Sequence, residues 1–400
     1  MDAVRPAKEA VHVAEQLPEP AAPLCIGIDA SRSLRPEPTG TERYSRQIIG
    51  HMLAACCDRF AYRVYAPNAP AAHALHGDAP PACNPRALTV RTLPGKWLWT
   101  HRKLAWEVSR RPPHVLFVPA HVVPFLPGRL LPATVVTLHD TGYRYFPRSH
   151  TALQRLYLEL STRWSAAAAR RVIAVSRQTA SDLQQFYRVP EAKIRVVHEA
   201  PTRVAAAAGE DRDHAPVYER PFALYVGTIQ PRKNLLRLIE AFERLTQQQQ
   251  IGWDLVLVGR WGWLSHEYER LVAAKGLADR VHFPGYLPDG AVAGLMRAAL
   301  FFVFPSLYEG FGLPVLEAQT TGAAVMCANN SALPEIAGDA ALLVDPHDVD
   351  AIAAAMLRLS QDEALRQELI AKGYENVKRF SWEKAARETL AVLEEAAGRG

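Results

Sequence analysis

The sequence predicts an α/β protein made of two doubly wound parallel-sheet domains, and three observations lead there. From Leu24 onward, short Val- and Ile-rich runs alternate with longer segments of helical period, the pattern of βαβ units whose sheets are covered on both faces. The alternation stops at residues 199–220, where an alanine run, Gly209, a charged cluster and two prolines intervene, and then it restarts. The length of 400 residues exceeds one ordinary core and suits two domains of roughly 100–200 residues each.

Taken in order, residues 1–22 are Pro/Ala/Glu-rich and aperiodic, which predicts a disordered tail and no secretory signal. Apolar runs at 24–30, 61–66, 87–93, 114–119, 133–139, 171–176 and 194–198 predict seven strands, with helices at 41–57, 98–110, 151–169 and 177–187. After the break, strands are expected at 222–227, 254–259, 280–285, 300–304, 323–328 and 341–344. Helices are expected at about 233–246, 264–276, 289–298, 314–321 and 348–360. The last helix should follow Phe380-Ser381-Trp382-Glu383, with Ser381 in a capping box. The expected division is a tail to residue 22, a domain over 23–205, a second over 206–380, and a final helical segment 381–400.

Composition narrows the class. Hydrophobic residues are 49% and charged residues 22% of the chain, which excludes wholesale disorder. No run nears the ~18 apolar residues of a membrane span. Five cysteines at 25, 56, 57, 83 and 327 form no CxxC and leave one over, so a reducing, cytoplasmic setting is expected, without a disulfide framework or zinc cage. Residues 1–205 hold 27 Lys+Arg against 15 Asp+Glu, while residues 206–400 hold 19 against 26. A basic half joined to an acidic half points to different partners. No nucleic-acid module accompanies the basic half, so no nucleic-acid partner is expected.

In open parallel sheets, ligands bind beyond the carboxyl ends of the strands, and four such ends carry reactive residue types. The first is Val226-Gly227-Thr228-Ile229-Gln230-Pro231-Arg232-Lys233-Asn234. Here two cations stand at the mouth of a helix starting near Asn234, where unpaired N–H groups favour a diphosphate. The second is Glu309-Gly310-Phe311-Gly312-Leu313-Pro314-Val315-Leu316-Glu317. Its glycines allow close backbone approach, and Pro314 as first helical residue puts Glu317 one turn in and Glu309 in the preceding loop. The third is His139-Asp140 after a buried strand, and the fourth is Thr39-Gly40-Thr41 at a helix start. Read singly, each also fits a structural role: a solvated cation pair, dipole complementarity at Glu317, a core histidine, and an N-cap by Thr39 or Thr41.

Together, Glu309-x7-Glu317 with Gly310-Phe311-Gly312 between, and Val226-Gly227 followed by Arg232-Lys233-Asn234, resemble the GT-B retaining glycosyltransferases of family 4, over residues ~24 to ~395. The resemblance implies a nucleotide-sugar donor on the C-terminal domain and an acceptor on the N-terminal side, with the final helix crossing back to the first domain. It implies that Lys233 and Arg232 hold the diphosphate beside Gly227, that Glu317 accepts bonds from ribose hydroxyls and that Glu309 contacts the donor hexose. Amides near Gly310, Phe311, Gly312 and Leu313 would touch sugar or phosphate, Gly40 the diphosphate, and His139 the sugar near the reacting carbon. Tyr286 and Leu287, after Gly285, would flank the base. Thr228 stands where many relatives have Arg, so phosphate neutralisation falls on Arg232 and Lys233.

The implied reaction is front-face hexosyl transfer with retention, in which the leaving phosphate oxygen takes the acceptor proton. It needs no cofactor and no metal, because cations and helix N–H groups stabilise the leaving diphosphate. The Val-Gly-Thr…Pro-Arg-Lys-Asn form resembles mannosyltransferases of surface-polysaccharide assembly, so GDP-mannose is the first expectation. UDP-glucose, UDP-galactose and UDP-N-acetylglucosamine stay open. A sugar-nucleotide epimerase and a non-catalytic nucleotide-sugar-binding protein share the architecture. Within residues 86–111, seven cations and Trp97, Trp99 and Trp106 surround a single acid, Glu107. Trp99, Lys103 and Trp106 fall near one face at helical spacing. Either they face a membrane surface that presents a lipid-linked acceptor, or the tryptophans face the core.

Overall fold

A computed structural model describes residues 22–33, 40–55, 59–69, 75, 79, 88–95, 97–202, 216–262 and 266–399. The expected tail up to residue 21, Thr39, Cys56, Cys57, Cys83 and the middle of the expected break (203–215) lie outside the described residues.

The first sheet is built from β1 (Leu24–Asp29), β2 (Phe60–Ala66), β3 (Leu88–Thr92), β4 (Val115–Val118), β5 (Ala133–Leu138), β6 (Arg171–Ala174) and β7 (Ile194–Val196). All are parallel, in the order β3-β2-β1-β4-β5-β6-β7. The second sheet holds β8 (Phe222–Val226), β9 (Asp254–Val258), β10 (Val281–Gly285), β11 (Phe301–Phe304), β12 (Val325–Ala328) and β13 (Leu342–Val344). It is parallel too, in the order β10-β9-β8-β11-β12-β13. Both sheets reverse strand order beside their first strand, which opens a crevice at the strand ends.

The helices are α1 (Gly40–Ala54), α2 (Ala105–Arg110), α3 (Gly142–Tyr145), α4 (Ala152–Ala168), α5 (Arg177–Tyr187), α6 (Leu235–Gln247), α7 (His266–Ala274), α8 (Asp289–Ala298), α9 (Leu313–Thr320), α10 (Leu333–Ala337), α11 (Val349–Gln361), α12 (Glu363–Val377) and α13 (Trp382–Ala397). One face of the first sheet packs under Leu104, Val108, Ala166 and Leu183; the other packs under α1 and α13 through Tyr44, Ile48, Trp382, Ala386 and Leu393. The core around α1 and α13 continues into Phe311, Leu316 and Ile336 of the second half. Apolar packing therefore joins the two halves beneath the cleft.

Several local expectations change. α12 carries no apolar stripe: only Leu369, Gly373 and Asn376 are buried, so periodicity gives no sign of it. Ser381 does cap α13, accepting from Lys384 N at 3.1 Å, but a lysine at the third helical position cannot return the bond of a capping box. Helix α9 begins at Leu313, so Pro314 is its second residue; Gly312 precedes it at φ +117°, a conformation that glycine adopts without Cβ strain. Trp99, Lys103 and Trp106 do not share a face. A π-helical turn over Thr100–Leu104 breaks the α-helical register, so Trp99 is buried and bonds to Leu93 O at 2.8 Å while Trp106 is exposed.

Candidate functional site

The strand ends of the two sheets face each other across a cavity of about 460 Å³. The residues selected from sequence line it without exception: Gly40 and His139 from the first half, and Gly227, Arg232, Lys233, Tyr286, Leu287, Glu309, Gly310, Phe311, Gly312, Leu313 and Glu317 from the second. Convergence of four separate segments follows from parallel topology, which sends every βα loop to the same edge.

At the centre sits a buried charge cluster. The Glu309 carboxylate accepts from Ser306 Oγ at 2.6 Å, from Arg232 Nη1 at 3.0 Å and from Lys233 Nζ. Arg232 also donates to Tyr308 O at 2.6 Å, which ties the 231–233 turn to the Glu309 loop. Burial alone would raise the Glu309 pKa, but Arg232 and then Lys233 overcome it and hold the carboxyl at about 2. Burial lowers Lys233 to about 8 in spite of Glu309, with Arg232 adding repulsion. The sequence reading gives the cations to phosphate and Glu309 to sugar. In the structure these groups form one hydrogen-bonded unit in which two cations share a single carboxylate, leaving one net positive charge, so phosphate and carboxylate would use the same donors.

Asn234 adopts φ +63° between the 231–233 turn and α6, and its amide donates to Pro305 O and Pro346 O. This locks the cation loop to the loops after β11 and β13. Glu317, one turn inside α9, is raised by burial to about 7, opposed only in part by Arg43 and reinforced by Asp289. Arg43 of α1 reaches across the cleft to Asp289 at 2.6 Å.

His139 differs from a free sugar-binding imidazole. Its Nδ1 lies 2.9 Å from Glu199 Oε1 and its Nε2 2.9 Å from Pro119 O. Both contacts are satisfied together when the ring carries two N–H groups, so the surroundings favour its imidazolium form. Burial opposes the charge, but the Glu199 bond and charge prevail and raise the pKa. The neighbouring His121, 5.2 Å away between ring centroids, is pushed down to about 4 by burial and then by His139. The surroundings drive the pair in opposite directions, His139 toward its charged form and His121 toward its neutral one.

Direct bonds also close the halves together. Ser176 Oγ donates to Gly310 O at 2.6 Å, and Tyr308 OH donates to the buried Asp182 at 2.6 Å. A Cβ on Gly310 would stand 2.0 Å from His139 O, so only glycine permits this approach. Sequence reasoning missed Arg43, Glu199, Asp182 and Tyr308. Arg43 lies two residues beyond Thr41, on the helix that begins at Gly40; the Glu199–His139 pairing spans 60 residues and carries no local signal.

Residues 209–376 match the model for "Glycosyl transferases group 1", and residues 38–200 match "Glycosyltransferase Family 4". The O-antigen chain mannosyltransferase B of Escherichia coli is 33% identical over 299 residues, covering 72% of this chain and 76% of that one. The MMP alpha-(1->4)-mannosyltransferase of Mycolicibacterium hassiacum is 32% identical over 232 residues, 57% of this chain and 54% of its own. The chain spans 27% of the serotype-specific mannosyltransferase WbdA of E. coli, at 32% identity over 54% of this chain. Among solved structures, sucrose-phosphate synthase from Thermosynechococcus elongatus superposes with TM-score 0.68 at 22% identity, covering 94% of this chain and all of that one. Anabaena HepE with UDP-glucose superposes with TM-score 0.67 at 17% identity, covering 93% and 99%. The chain belongs to the group 1, or family 4, glycosyltransferases of the GT-B fold.

Proposed function

We propose that this glycosyltransferase moves mannose from GDP-mannose, with retention and without a metal, to a glycan or lipid-linked sugar in surface-polysaccharide assembly. The observation that carries the reading is the buried Arg232–Glu309–Lys233 cluster beside the amide-bearing start of α9. Cleavage of a glycosyl–phosphate bond leaves negative charge on the diphosphate and positive charge on the sugar. Arg232, Lys233 and the helix N–H groups suit the first, and the Glu309 carboxylate suits the second. Names of relatives, among them O-antigen chain mannosyltransferase B, favour mannose.

In this reading the diphosphate takes Lys233 and Arg232 from Glu309, which turns toward the hexose. Gly40 and Gly227 let backbone approach the phosphates, while Phe311, Gly312 and Leu313 supply amides at Gly310's loop. Glu317 binds the ribose hydroxyls. Tyr286, over whose ring Arg260 lies at 4.4 Å, flanks the base with Leu287. His139, whose two nitrogens are engaged by Glu199 and Pro119 O, borders the sugar as a fixed ring, and the positive charge that Glu199 favours on it serves the leaving diphosphate rather than the sugar. The acceptor oxygen attacks the anomeric carbon on the face that the diphosphate leaves, and a leaving phosphate oxygen takes its proton. No carboxylate pair of the kind retaining glycosidases use is needed. The acceptor arrives from the N-terminal half at the cytoplasmic membrane surface, with peripheral contact through residues 86–111.

The test measures nucleotide release from GDP-mannose, UDP-glucose, UDP-galactose and UDP-N-acetylglucosamine, with and without EDTA, and the anomeric configuration of the product by NMR. Release from GDP-mannose that survives EDTA and gives an α-mannoside is expected. Turnover with UDP-sugars alone, an EDTA-sensitive rate, or a β-product would each remove one part of the reading.

A further inference from the structure

Helix α4 is amphipathic in the wrong direction for a helix that only covers a sheet. Its buried residues are Ser161, Thr162, Ser165 and Ala166, small or polar, and Ser165 Oγ accepts from Val123 N at 2.9 Å. Its large apolar residues point outward: Leu153 is 78% exposed, Leu156 54%, Tyr157 46% and Leu160 53%. The spacing i, i+3, i+4, i+7 makes a single stripe. The helix start is well formed, since Thr151 and Gln154 close a capping box, so the stripe is not a frayed end.

The stripe is part of a larger surface. Phe125, itself 45% exposed, stacks on His101 at 4.2 Å and meets the ring of Trp164 on α4 edge-on at 5.6 Å. This joins α4 to the segment bearing the exposed Trp97 and Trp106, and both cover the same sheet face. Residues 97–131 and 152–170 contain eight cations and two acids. Both acids are turned inward: Glu107 is buried against Arg91, and Glu159 pairs with Arg144 and Arg163. Exposed Leu, Trp and Phe beside arginines and lysines that outnumber the acids eight to two match the headgroup boundary of an anionic bilayer, where apolar side chains enter and cations meet lipid phosphate.

The same helix touches the cleft through a relay of rings. Tyr143 OH lies 3.3 Å from Leu158 O and donates to Tyr187 OH, which donates in turn to Glu159 at 3.1 Å. Tyr145, at the end of α3, stacks on Tyr308 at 4.5 Å, and both hydroxyls donate to Asp182. Tyr308 immediately precedes Glu309.

We infer that the α4 stripe, together with Trp97, Trp106 and Phe125, is a docking surface for an anionic lipid bilayer, with α4 as the inserted element. The inference deepens the membrane contact of the proposed function by moving its apolar anchor from residues 86–111 to α4. It sets the acceptor side of the cleft beside the bilayer, where a lipid-linked sugar is presented.

The test is sedimentation of the full chain with phosphatidylglycerol/phosphatidylcholine vesicles and with pure phosphatidylcholine vesicles, at low and high salt. Three proteins are compared: wild type, Leu153→Gln/Leu156→Gln/Leu160→Gln, and Trp97→Ala/Trp106→Ala. The leucines are exposed, so the triple variant keeps its core, checked by circular dichroism and by GDP-mannose turnover on a soluble acceptor. Wild type is expected to bind the anionic vesicles in a salt-sensitive manner, and the triple variant to bind about tenfold or more weakly. Loss only in the tryptophan variant would return the contact to residues 86–111 and overturn the assignment to α4. Absence of wild-type binding, equal binding of wild type and triple variant, or a wild-type dimer that the triple variant dissolves without any vesicle binding would each overturn it as well. Turnover on the soluble acceptor reports separately on the proposed reaction.

Discussion

Glu309→Gln separates the roles of the charge cluster. The substitution keeps the size of the side chain and removes the charge that Arg232 and Lys233 both satisfy. The depression of the Glu309 carboxyl from 4.5 to about 2 corresponds to about 3 kcal/mol of pairing in a buried site. That lies at the low end of the roughly 3–5 kcal/mol lost when one partner of a buried pair is removed. The loss has a pH signature. Because the folded-state pKa lies below the unfolded one, Glu309 stabilises the protein fully above about pH 4.5, and the contribution disappears as pH falls toward 2. Glu309→Gln should therefore be less stable at neutral pH and show a shallower acid loss. Added GDP should raise its melting temperature by more than it raises that of wild type, since a diphosphate replaces the missing anion beside Arg232 and Lys233. Turnover should fall by about 10²-fold or more, as when a transition-state electrostatic partner is removed. GDP affinity by calorimetry should be no weaker than wild type, because the carboxylate no longer competes for the cations. Wild-type turnover in the variant would refute the sugar-side role of Glu309, and a weakening of GDP binding would refute the competition.

Lys233→Ala should weaken GDP binding by about 1.5–3 kcal/mol, the range for a hydrogen bond to a charged group, with Arg232 covering part of the loss; calorimetry measures it. Glu317 is raised by burial to about 7; in the proposed reading the ribose hydroxyls donate to its ionised form, so GDP affinity should climb as pH rises from 6 to 8. Glu317→Gln should flatten that climb, and an unchanged profile would remove the ribose assignment. Glu199→Gln takes away the group that keeps His139 charged. NMR titration should show the His139 pKa falling, and turnover should drop at high pH before it drops at low pH. Gly310→Ala places a Cβ 2.0 Å from His139 O, so small-angle scattering should show the two halves held apart and transfer should be lost, while GDP binding to the second half persists.

Much of the architecture was legible because periodicity reports burial one element at a time. Among the described residues all thirteen strands lie where apolar runs predict them, and the change from one sheet to the other falls between Val196 and Phe222. Helix α12 escaped because its fully buried residues, Leu369, Gly373 and Asn376, make no apolar stripe, and Trp99 was misplaced because spacing arguments assume an unbroken α-helix where a π-helical turn runs over Thr100–Leu104. The lining of the cleft was legible too: loops after parallel strands all open on one edge, so residue types at strand ends suffice to collect Gly40, His139, Lys233, Glu309 and Glu317.

The sequence by itself thus determined the two parallel sheets, the edge on which the site lies and the residue types it contains. Only the tertiary structure decided how those residues pair. Arg232 and Lys233 meet Glu309 across 77 and 76 residues, His139 meets Glu199 across 60, and Asp182 gathers Tyr308 from 126 residues away. Local pattern records how much of a side chain is buried and on which face, because backbone geometry repeats within one element. It records nothing about which charge from a distant loop arrives opposite. That choice sets the ionisation of Glu309, Lys233, His139 and Glu317, since a buried charge is governed by the few neighbours within a few ångströms and by the water they exclude.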